Sequence, residues 1–128
     1  MDSDSVEITN PKFKMWRHSD GIVQLVWAAA TAMTLADAIA AGNAMSELTD
    51  GKPAPLLVDA RDAGPQDRAA RSEFARRGDL TSAVALLVAT PLSRLTGNFY
   101  IAVSRPMAPT RLFEDETSAV KWLREFIV

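Results

Sequence analysis

The chain has 128 residues, 48% of them hydrophobic and 23% charged, and a net charge of −2. That is one domain's worth of sequence, with enough apolar residues to build a core without metals or cross-links. With no cysteine, disulfides, thiolate nucleophiles, zinc ribbons and iron–sulfur clusters are excluded, and the near-neutral balance gives no basic field to attract nucleic acid.

Residues 1–11 open on the polar, acidic run Met1-Asp2-Ser3-Asp4-Ser5 and are expected to be a flexible segment, although Val6 and Ile8 could extend a first strand. A single domain is expected over 12–128. Residues 12–17 partly alternate polar and apolar side chains, as a half-buried strand does. Asp20-Gly21 follows, a hairpin signal because glycine tolerates positive φ in the turn, and 22–27 reads as a second, more apolar strand.

Thr34 with Asp37 three residues on is a variant of the capping box, so a helix begins there. Its expected inner stripe is Leu35, Ala38, Ile39, Gly42 and Met45, at helical spacing. The unbroken run Leu56-Leu57-Val58 ending in Asp59 predicts a strand covered on both faces. A helix over 66–77 follows, with Ala70 and Phe74 as its inner pair. Residues 83–88 predict another buried strand. Residues 89–103 admit two readings: a helix from Pro91 with Leu92, Leu95, Phe99 and Ala102 as its stripe, or a strand over 99–103. Residues 111–113 predict a short strand. Asp115 caps a final helix with an inner face of Ala119, Val120, Leu123, Phe126 and Ile127.

The order β-β-α-β-α-β-α-β-α predicts an α/β fold: one mixed sheet of about five strands, with an N-terminal hairpin and a parallel centre, flanked by about four helices. No apolar run approaches the roughly 20 residues that span a bilayer, and a soluble, cytoplasmic chain is expected.

Catalytic groupings are hard to find. His18 is the single histidine, there is no Gly-x-Ser-x-Gly elbow and neither glycine-rich phosphate loop is present. No catalytic residue, metal or cofactor is therefore expected. Ligands of open α/β sheets sit at the carboxyl ends of strands, which singles out the loop after the central strand and the helix it opens: Asp59, Arg61, Asp62, Asp67, Arg68 and Arg71. A protein partner is the occupant expected there, and a homodimer is a further possibility of the fold. The alternative is a small-molecule or lipid-binding domain with an apolar pocket between sheet and helices at Phe74, Leu95 and Phe99.

Several local patterns carry a resemblance: the Asp20-Gly21 hairpin, Thr34-Leu35-Ala36-Asp37-Ala38, Pro55-Leu56-Leu57-Val58-Asp59, and Arg111-Leu112-Phe113-Glu114-Asp115 followed by Ala119-Val120-Lys121-Trp122-Leu123. Over residues 12–126 the chain resembles STAS-like domains, relatives of the anti-sigma-factor antagonists, and its C-terminal pattern resembles an actinobacterial group of unknown function. The resemblance implies a sheet flanked by helices and non-enzymatic, regulatory work through protein contacts. In the antagonists a serine or threonine follows an Asp in the loop after the central strand and is phosphorylated. Here residues 59–67 contain no hydroxyl, and the nearest, Ser72, lies inside the helix. The resemblance therefore carries the fold and not the switch.

Overall fold

A computed structural model describes residues 6–29, 32–104 and 106–127. Residues 1–5 of the segment expected to be flexible lie outside the described residues. Six strands form one sheet in the order of the sequence: β1 (Glu7–Thr9), β2 (Phe13–Arg17), β3 (Val23–Trp27), β4 (Ala54–Asp59), β5 (Thr81–Leu87) and β6 (Thr110–Phe113). The first three are antiparallel and the last three join in parallel. The sixth strand, beyond the five expected, is β1: residues 7–9 of the segment expected to be flexible pair with β2, and Ile8 stands opposite Met15.

Among the described residues four α-helices flank the sheet: α1 (Leu35–Thr49), α2 (Arg68–Arg76), α3 (Pro91–Ser104) and α4 (Glu116–Leu123). The β2–β3 turn forms at Asp20-Gly21, where Gly21 adopts φ +98° and its N–H donates to the His18 carbonyl at 2.9 Å. The Thr34 hydroxyl accepts from the Asp37 N–H, and the Asp37 carboxylate accepts from the Thr34 N–H, so the capping box closes in both directions. Asp67 and Asp115 cap α2 and α4 in one direction, their carboxylates accepting from the Ala70 and Ser118 N–H groups. The segment 89–103 is helical, because Thr90 caps it at the Ser93 N–H and Pro91 stands at the first helical position, where a missing N–H costs nothing.

Because β3, β4, β5 and β6 are added in one direction, right-handed crossovers place α1, α2 and α3 on one face of the sheet. That face is floored by a row of apolar residues in register across all six strands, Ile8, Met15, Leu25, Val58, Leu86 and Leu112. α4 covers the opposite face, where Ala119 and Leu123 are buried against Leu57, Ala83, Ala85 and Leu87.

Two helices leave outside large apolar residues that their periodicity places inside, although Ala38 and Met45 of the α1 stripe are buried as expected. In α1 the buried residues are Ala38, Ala41, Ala44, Met45 and Thr49, whereas Leu35 and Ile39 are exposed. In α3 Ser93 and Gly97 are buried, while Leu95 and Phe99 remain 66% and 47% exposed and Leu92 and Val103 also face outward. Close approach decides this. A Cβ on Gly97 would lie 3.1 Å from the Leu112 side chain of β6, so the glycine side alone can come this near the sheet.

Candidate functional site

The loop at the carboxyl end of β4 carries the expected charged residues, and most of them are engaged within the fold. Arg61 grips Asp59 through two parallel bonds, Nε to Oδ1 at 2.9 Å and Nη2 to Oδ2 at 2.7 Å, while its own backbone N–H donates to Oδ1 at 3.2 Å. This fork geometry suits a guanidinium and a carboxylate. The bonds from Arg61 hold the Asp59 carboxyl below its ordinary value, and Asp59 in turn raises Arg61. Asp59 is therefore a fixed anion rather than a proton-transfer group near neutral pH.

Asp67 accepts from the Ala70 N–H at 2.7 Å as the cap of α2. Arg71 donates from Nη1 to the Gln66 carbonyl at 2.9 Å and lies 4.9 Å over the Phe99 ring. Asp62 and Arg68 are exposed. Of the arginines nearer the C-terminus, Arg94 pairs with Glu114 at 2.7 Å, and Arg111 lies over the rings of Phe113 and Trp122. His18 meets Gln24 at 2.7 Å between Nε2 and Oε1. Among the described residues no group of three or more histidines, cysteines or acids is placed to hold a metal ion, and no helix is long and apolar enough to cross a membrane.

A cavity of about 140 Å³ lies between the sheet and α1, α2 and α3. Its floor is Met15, Leu25, Val58 and Leu86 of the in-register row, together with Trp27 and Val84. Ala38, Ala41, Gly42 and Met45 of α1 form one wall, and Phe74 of α2 another. Trp27 meets Phe74 edge to face, with ring centroids 6.1 Å apart. Phe74 thus lines the cavity as expected. Leu95 and Phe99, expected beside it, do not: they sit on the outer side of α3, and Ser93, Thr96, Gly97 and Tyr100 take the inner side. Burial pushes the Tyr100 phenol up to about 12, so it is neutral across the physiological range.

The cavity's one amide is Gln66, which sequence reading assigned no role. The loop before α1 holds it in place. Met33 pairs with Gln66 in a parallel bridge, its N–H donating to the Pro65 carbonyl at 2.8 Å and its carbonyl accepting from Asp67 at 3.0 Å. Nothing in the spacing of residues 33 and 66 signals this meeting, which arises from how two loops cross at one end of the sheet.

A family model described as a domain of unknown function, DUF7793, matches residues 15–127. The chain belongs to that family. No curated protein matches this DUF7793 chain. Among solved structures it is similar to an uncharacterised protein of the DUF3478 family with a SpoIIAA-like fold from Shewanella loihica PV-4. The two are 16% identical, with 91% of this chain and 98% of that chain covered and a TM-score of 0.62. It is also similar to a protein of unknown function from Arthrobacter sp. FB24, at 33% identity with 85% and 96% covered and a TM-score of 0.34. The first likeness shows the fold: this DUF7793 domain is SpoIIAA-like, hence STAS-like, as its sequence pattern implied.

Proposed function

We propose that this domain is a non-catalytic binding module whose ligand is a small apolar molecule held between the sheet and α1–α3. The observation that carries this reading is the cavity itself. Large unfilled apolar space is uncommon in folded proteins, and apolar walls with no partner atoms across a gap of about 140 Å³ forgo the dispersion contacts that packing supplies. A ligand that fills it recovers much of that. An apolar cavity of about 150 Å³ is known to admit benzene, so a six-membered ring is the size of occupant to test. Met33 and Met45 in the wall can adjust to its shape.

Trp27 is the tryptophan that lines the cavity; Trp16 and Trp122 do not. Titration with toluene is therefore expected to change Trp27 fluorescence and to raise the melting temperature by several degrees at saturation, because the ligand binds the folded state alone. Ala41→Leu places side-chain carbons in the void. It is expected to stabilise the free protein and to cancel both responses. A toluene titration that moves neither signal in the wild type would sink this reading.

The outer face of α3 favours a second reading, a protein-interaction domain. Leu92, Leu95, Phe99 and Val103 form an exposed apolar row, and Arg71 stacked on Phe99 joins it to the charged start of α2. Apolar residues bordered by arginine are the composition of interface centres. A concentration-dependent dimer in sedimentation velocity, lost in Leu95→Asp/Phe99→Asp, would support it. A monomer in both, with co-purifying proteins unchanged after Arg68→Glu, would remove it.

A further inference from the structure

We infer that the cavity selects a neutral apolar molecule carrying one hydroxyl group, and that the Gln66 carboxamide is its anchor. This rests on the cavity reading above and adds the polar half of the recognition. The backbone of Gln66 is pinned from two sides, by the Met33 bridge and by the Arg71 guanidinium on its carbonyl. Its side chain stands in the cavity wall. There its Oε1 is buried and accepts no hydrogen bond from the described residues, among which its Nε2 reaches only the Met33 sulfur, at 3.7 Å. A thioether is a weak acceptor, so both ends of the carboxamide are poorly served.

Buried polar groups left in this state are uncommon in folded proteins. Desolvation has already been incurred, so a ligand group that completes the bonding adds to the affinity gained by filling the apolar space. The chemistry of that group follows from its neighbours. An ion is disfavoured: the two charged residues of the lining, Glu73 and Arg77, already pair with Arg76 and Asp79, and charge is costly to bury against the apolar remainder of the wall. A hydroxyl donates and accepts at once, so it satisfies the carboxamide in either of its two orientations, whereas a pure acceptor or donor serves only one. The ligand class is thus a phenol or a small cyclic alcohol.

Phenol and toluene are nearly the same size and differ in one group, and both can be titrated into the intact chain by calorimetry. The wild type is expected to bind phenol at least as tightly as toluene, despite phenol's stronger hydration. Gln66→Leu is expected to weaken phenol by about tenfold and to leave toluene unchanged or tighter. Gln66→Met, unbranched like glutamine, gives the same comparison should the leucine variant not fold, and the wild-type ratio alone requires no variant. Toluene binding more tightly than phenol to the wild type overturns the Gln66 assignment and leaves the cavity reading intact. So does a substitution that weakens both probes alike. Binding of neither probe overturns both.

Discussion

Trp27→Ala is expected to lower the free energy of unfolding by about 3–5 kcal/mol, a large share of the roughly 5–15 kcal/mol that holds most domains folded. Trp27 ends β3 and is buried where three elements meet. Its ring lies edge to face with Phe13 of β2 at 5.3 Å and with Phe74 of α2 at 6.1 Å. Truncation removes both aromatic contacts and joins the vacated volume to an existing cavity, so the surroundings have little to collapse onto. Urea unfolding followed by circular dichroism checks it: the midpoint should fall with little change in slope. Trp27→Phe retains a ring on the same strand and is expected to lose clearly less. A Trp27→Ala midpoint close to that of the wild type would mean that α2 is held by something other than this aromatic cluster.

The second large effect lies on the other side of the sheet. Leu123→Ala is expected to cost about 2–5 kcal/mol. α4 has eight residues, too few to be helical in isolation, so its stability comes from Ala119 and Leu123 packed on the sheet. The surface beneath them is Ala83, Ala85, Leu57 and Leu87. Backbone-close alanines cannot swing into the space a leucine leaves. Hydrogen exchange should show the α4 amides losing protection first. Trp27 and Leu123 belong to separate clusters on opposite faces, so the double variant should be additive to within about 0.5 kcal/mol. A larger departure would reveal coupling through the strands.

Much of the fold was legible because its signals are local. Asp20-Gly21, Thr34 with Asp37, and Asp115 each act within four residues, and each works in the structure as chain chemistry predicts. The alternation that marks a half-buried strand located β2, and the unbroken apolar run located β4. β1 was harder, because three residues carry too little periodicity to stand apart from a frayed terminus.

The inner face of α3, and the Leu35–Ile39 edge of the α1 stripe, differ from expectation for one shared reason. Apolar periodicity weights the largest side chains, so Leu35 and Ile39, and Leu95 and Phe99, seemed to mark the inner sides. α1 keeps Ala38 and Met45 of its expected stripe inside and adds Ala41 and Ala44, α3 approaches on Ser93 and Gly97, and both leave bulk outside. How closely a helix can approach depends on what lies beneath it, such as Leu112 under Gly97, and that partner is distant in the chain. The charged loop lies at the carboxyl end of β4, and an Asp59 that braces it by pairing with a nearby arginine is the reading its position favours. Asp59 with Arg61, and Asp67 with Ala70, are bonds of side chain to near neighbour that hold the loop. Gln66 gave no signal at all, since one glutamine in a loop has no pattern to belong to.

The sheet is laid down in the order in which the ribosome releases it. Each strand that leaves the exit tunnel finds its partner already made, at the growing edge, and never has to insert between two others. Nascent chains can thus build β1 through β6 by successive docking, with the crossover helix delivered before the strand it introduces. The opposite face has no such schedule. Leu57, Ala85 and Leu87 stay bare until α4, the final helix, has been synthesised. A stalled or C-terminally clipped chain would therefore carry a nearly finished sheet with one greasy side uncovered, the form on which chaperones and proteases act.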